Sequence, residues 1–204
     1  MELWIWRSTQ MPKIPNNKVP MDTVEVPMMK SATDPTVVMR KLPVVLPHRL
    51  IPHLLKHNLV VPDFAAIREY WIHMFTHAEW GPGHPLAEQG GNCKHLPVYL
   101  YADDVKWTNE EKRTQVSLGL VLDERTHSMT THFPLWILRE ISSLAVFVDR
   151  VFDHSGLYEA CRLVVDSLNI LFRGEVCEPD MEPPLAALTE LRADWKFYKE
   201  TWRV

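Results

Sequence analysis

Between Leu96 and Glu140 the sequence changes its hydrophobic rhythm, and that change constrains the fold more than any other feature. Leu96–Trp107 (LPVYLYADDVKW), Gln115–Asp123 (QVSLGLVLD) and Thr130–Glu140 are rich in Val, Leu, Tyr, Phe and Ile, and the polar runs NEEKR and ERTHS separate them. Such runs between turn residues predict three consecutive antiparallel strands. Pro134 lies inside the third run. A proline has no N–H to give to a central ladder, so this strand is expected at a sheet edge.

Helical spacing surrounds these strands. Asp63 follows Pro62 and can cap a helix through its side-chain oxygen, and Phe64, Ile67, Trp71, Met74 and Ala78 then recur at intervals of three and four. Trp80-Gly81-Pro82-Gly83 stops that helix. From Ile141 the helical period returns, first through Leu144, Ala145, Val148 and Phe152, then through Leu157, Cys161, Val164, Leu168 and Leu171. Arg173-Gly174 ends the second of these with a cation and a C′ glycine. Leu185–Asp194 reads as a fourth strand and Trp195–Val204 as a helix. The order strand, strand, strand, helix, strand, helix is the opening of a ribonuclease H-like α/β fold. A meander of three strands is followed by a right-handed helical crossover, and the fourth strand lies parallel beside the first. The expected mixed sheet has the order 3-2-1-4, with flanking helices, and its first four strands make only a partial version of the fold.

Composition sets the frame for this reading. With 46% hydrophobic and 24% charged residues, the 204-residue chain suits one folded domain with an added arm rather than a disordered chain. Cut after Pro62, the first part holds 8 Lys/Arg against 4 Asp/Glu and the remainder 14 against 22, so +4 faces −8. Nine of the sixteen prolines lie in the first part. Residues 1–62 are therefore expected to be an extended, proline-rich basic arm with a short helical segment at Arg49–His57, and 63–204 an α/β domain. Cys93, Cys161 and Cys177 form no CxxC, and no run of about 18 apolar residues occurs, which points to an intracellular, reducing setting without a membrane span. His73 and His77 stand one helical turn apart with His84 nearby, but the HExxH pattern is missing, so they read as surface histidines.

The chemistry centres on aspartates near strand ends. Asp103 stands in Tyr101-Ala102-Asp103-Asp104 and Asp194 in Arg192-Ala193-Asp194-Trp195. If their strands are parallel neighbours, both carboxylates reach one end of the sheet, where they suit Mg²⁺ or Mn²⁺, hard ions that prefer oxygen ligands. A pair of such ions supports phosphoryl transfer. The competing reading makes both aspartates ordinary turn residues.

The runs HLPVYLYADDVKWT, VSLGLVLDERTHSMTTHFPLWILRE and LTELRADWKFYKE resemble transposase-related open reading frames of mobile elements in protist genomes, dinoflagellates especially. The resemblance spans about 96–204. It implies a DDE-type, ribonuclease H-like domain that processes DNA in the nucleus, with Asp103 and Asp194 as its first two catalytic and metal-binding aspartates. Asp104 stands where such motifs often carry glycine and is counted as a further metal ligand. The third carboxylate of the triad is expected beyond residue 204, because Glu159 and Asp166 lie off the core-facing stripe of their helix. The domain is thus expected to be incomplete, weakly active or inactive alone, and completed by a protein partner. Two alternatives stand beside it. Tyr101–Asp104 is also a YxDD box, as at the palm hairpin of reverse transcriptases. The chain also suits a non-catalytic interaction subunit, with its eight tryptophans as anchors.

Overall fold

The computed structural model describes residues 19–31, 34–106, 112–122, 132–139, 156–176 and 182–193. The helices expected from Ile141 and from Trp195 lie outside them, as do Asp194 and, of the eight tryptophans, Trp4, Trp6, Trp107, Trp195 and Trp202. The described elements are β1 (Asp22–Ser31), β2 (Asp34–Val44), α1 (Pro47–Lys56), α2 (Phe64–His77), β3 (Leu96–Lys106), β4 (Lys112–Leu120), β5 (His132–Arg139), α3 (Gly156–Arg173) and β6 (Ala186–Ala193). They build a mixed α/β structure in which β1 and β2 form one sheet and the order β5-β4-β3-β6 forms another.

The four-stranded sheet has the order expected from the sequence. β3, β4 and β5 make the antiparallel meander, and β6 runs parallel to β3 from Leu96↔Ala186 to Ala102↔Ala193. Pro134 sits on edge strand β5. Val116 and Ser117 pair with Trp136 and Pro134, leaving Leu135 as the extra residue of a bulge, and its carbonyl accepts the Val45 N–H at 2.7 Å. An edge next to a bulge is where a residue without an N–H costs the ladder least.

Both long helices end as their residues dictate. Asp63 Oδ1 accepts the N–H groups of Ala65 and Ala66, satisfying two donors of the first turn of α2. Ile67 and Trp71 are buried, but Phe64, next to the cap, is exposed, so the core-facing stripe is narrower than its spacing suggested. Gly174, at φ +66°, takes the left-handed conformation after α3, and Glu175 N–H donates to the Ile170 carbonyl. Ala160, Val164, Ser167, Leu168 and Leu171 form the buried stripe of α3, which lies against α1, β1, β5 and β6.

The main departure is the segment expected as an extended arm. Over Asp22–Lys56 it is a hairpin followed by a helix, and Val26, Val44, Leu50, Ile51 and Leu54 join one hydrophobic cluster with Val98, Leu118, Val164 and Leu171. The prolines misled because they were read only as helix breakers. Each strand of a two-stranded sheet is an edge strand, so Pro27 and Pro43 can turn their nitrogens to the unpaired side. Pro47 occupies the first turn of α1, where a missing N–H removes nothing.

The N-terminus of α1 is capped from another element. Leu46, at the cap position, offers no side-chain acceptor, and Ser167 Oγ of α3 accepts the His48 N–H at 2.9 Å. The same hydroxyl lies 2.8 Å from His48 Nδ1. Ser167→Ala is expected to lower stability by about 1–2 kcal/mol, because it leaves a helix donor unpaired beneath the α1–α3 contact. Urea unfolding with an unchanged midpoint would refute the cap.

Candidate functional site

The period of two along β3 sorts its side chains between the two faces of the sheet. Val98, Leu100 and Ala102 are buried among the core residues, while Tyr99, Tyr101 and Asp103 occupy the other face. Opposite them on β4 stand Gly119, Ser117 and Gln115. Gly119 is required there, because a Cβ would run into the ring of Tyr99.

Asp103 lies inside the strand. It pairs with Gln115, and the β3–β4 ladder continues to Lys106↔Lys112. It is therefore not a turn residue. Its Oδ2 accepts the Tyr101 hydroxyl at 2.9 Å. The ring of Tyr101 stacks on His132 of β5 at 4.8 Å between centroids, and His132 Nε2 lies 2.9 Å from the Tyr99 hydroxyl. Arg192 of β6 covers Tyr99, with its guanidinium carbon 3.9 Å from the ring centroid, and its Nε donates to Glu190 at 2.7 Å. Three strands thus supply a continuous series of contacts from Arg192 to Asp103. Burial, and secondarily the positive charge of Arg192, push the His132 pKa below its ordinary value, so the imidazole is neutral at pH 7.

Of the three aspartates singled out in the sequence, Asp103 has a described side chain. Asp104 pairs with Thr114 in the β3–β4 register, and Asp194 falls outside the described residues. Glu159 and Asp166 do not join Asp103, since Arg162 holds both on the surface of α3 at 2.9 Å. Among the described residues no group of three or more His, Cys, Asp or Glu side chains gathers around one point. Asp103 nevertheless suits a hard cation as one member of a larger set. A carboxylate offers about four lone-pair sites and Tyr101 uses one of them. Tyr99, His132 and Arg192 were not singled out from the sequence, and Tyr101 entered only as the first residue of the YxDD box. The signal that could have found the tyrosines was the alternation that puts them on the face of Asp103; nothing local marks the other two.

Other reactive groups have structural partners. Cys93 Sγ lies 3.5 Å from His95 Nδ1, and His95 Nε2 donates to the Phe172 carbonyl at 3.0 Å. Both residues are buried, and burial pushes the Cys93 thiol up, which suits packing rather than nucleophilic attack. Two apolar grooves, of about 540 and 240 Å³, flank Leu96 at the opposite end of β3 from Asp103. Among the described residues no helix is long and apolar enough to cross a membrane. No family model, curated protein or solved structure matches this chain.

Proposed function

We propose that the chain is a ribonuclease H-like domain of the transposase class, in which Asp103 and Asp194 bind Mg²⁺ or Mn²⁺ and act on DNA in the nucleus. The observation that carries this reading is the β3–β6 register. Tyr101 and Arg192 are parallel partners, and Arg192 reaches the Tyr99 ring on the face that holds Asp103. Continued by two residues on each strand, the alternation would carry positions 103 and 194 to the same face. Hard cations bridging carboxylates there would assist phosphoryl transfer. A strand-interior Asp103 also suits this class better than a reverse-transcriptase palm, whose YxDD box sits at a hairpin turn.

Two aspartates on neighbouring strands supply part of a metal shell, so binding by this chain is weak and DNA cleavage slight or absent without a further carboxylate from a partner. The expected result is Mn²⁺ binding in the millimolar range, followed through the loss of the free-ion paramagnetic resonance signal. It should fall in Asp103→Ala and again in Asp194→Ala. Binding that is unchanged in both variants would remove the proposal. A second reading, a non-catalytic interaction subunit, is favoured by the Tyr101 hydroxyl on Asp103, which gives the carboxylate a structural role. In that case Asp103→Asn lowers stability and leaves Mn²⁺ binding unaltered.

A further inference from the structure

We propose that His73 and His77 form a two-imidazole site for a borderline divalent cation of the zinc or copper class on the exposed face of α2. This inference is independent of the chemistry assigned to Asp103. Sequence spacing alone did not distinguish these residues from ordinary surface histidines, but the hydrogen bonding of His77 does. Its Nδ1 lies 3.1 Å from the His73 carbonyl and 2.7 Å from Thr76 Oγ1. A carbonyl can only accept, so the tautomer that makes this bond carries its proton on Nδ1 and keeps a lone pair on Nε2. Thr76 Oγ1 lies 2.8 Å from the Ile72 carbonyl and 3.0 Å from the His73 carbonyl, and a hydroxyl donating to either leaves its oxygen to accept from His77. Metal-bound histidines are oriented in this way, with the non-ligating ring nitrogen donating to a backbone carbonyl or similar acceptor.

The position of the pair supports the same assignment. The two rings stack at 4.4 Å between centroids with planes 15° apart, and both side chains are exposed. In this stacked arrangement the two Nε2 lone pairs do not converge, so binding requires the His73 ring to turn out of the stack while His77 keeps its hydrogen bond, after which one ion could take both side chains at about 2.0–2.1 Å with water completing its shell. Imidazole selects Zn²⁺, Cu²⁺ or Ni²⁺ over Mg²⁺. His77 is also the last residue of α2, where the negative end of the helix dipole favours a bound cation. His53 and His57 repeat the spacing on α1 and provide an internal comparison. Their planes are tilted by 59°, and His53 Nε2 is buried without a partner, so that pair does not present two outward nitrogens.

Cu²⁺ titration of the full chain, read by paramagnetic resonance, tests the site. The wild type is expected to bind one equivalent with hyperfine splitting from two imidazole nitrogens. His73→Ala and His77→Ala should each weaken binding by at least the cost of losing an orienting partner, about tenfold. His57→Ala should bind as the wild type does, and circular dichroism should show all three variants folded. Zn²⁺ should raise the melting temperature of the wild type but not of His77→Ala. Cu²⁺ affinity that persists in both α2 variants, or that falls in His57→Ala, would overturn the assignment.

Discussion

A chain shortened to residues 63–204 is expected to lose its cooperative unfolding transition. The deletion removes Val26 and Val44 of the hairpin and Leu50, Ile51 and Leu54 of α1, all buried in the common cluster. At about 1.5–3 kcal/mol for each buried aliphatic side chain, the loss is on the order of 10 kcal/mol. Folded domains hold only about 5–15 kcal/mol in total, so little is left to keep the remainder folded. The deletion also strips the Ser167 cap of its helix and uncovers the apolar stripe of α3. Thermal and urea unfolding followed by circular dichroism decide the matter. A sharp transition in the shortened chain would show that the hairpin and α1 only decorate the larger sheet.

Trp71→Ala is expected to cost about 3–5 kcal/mol, the range for emptying the space of a buried large aromatic. Trp71 is fully buried, stacks on Phe75 with centroids 5.4 Å apart, and meets Tyr70 edge-on at 5.3 Å. Its indole N–H donates to the His95 carbonyl at 2.7 Å, which ties α2 to the segment that leads into β3. Removing the ring leaves both a cavity and an unpaired buried carbonyl. For a chain of this size the midpoint should fall by on the order of 10 °C. Trp71→Phe, which keeps a ring and loses the donor, should cost less. A midpoint within about 2 °C of wild type for Trp71→Ala would mean that α2 is not held through this side chain.

What could be read before folding was whatever depends on neighbours in sequence. Asp63 caps α2 because its oxygen needs to reach only Ala65 and Ala66, and Gly174 ends α3 because only its own φ has to be permissive. The apolar strand runs between polar turns and the proline at 134 were enough to foresee a meander with β5 at its edge, and the order of strands and helices to foresee β6 parallel to β3. The hairpin was missed for the complementary reason. A proline within a strand is tolerated or not according to which side of the strand is paired, and the sequence by itself does not state that.

The surroundings of Asp103 show the same division. Its position on β3, and its sharing a face with Tyr99 and Tyr101, follow from a period of two within eleven residues. That His132 stacks on Tyr101 and Arg192 on Tyr99 depends on how β5 and β6 are registered around β3 and β4, which is set by bulges at Leu135 and between Leu188 and Glu190. Ser167 finds His48 across 119 residues because α1 and α3 share a core. Local sequence determined the elements, their ends and the face each residue occupies, since these depend on backbone torsions and short-range hydrogen bonds. Tertiary structure alone decided which side chains meet between elements, because those contacts arise only when separate apolar faces are buried together.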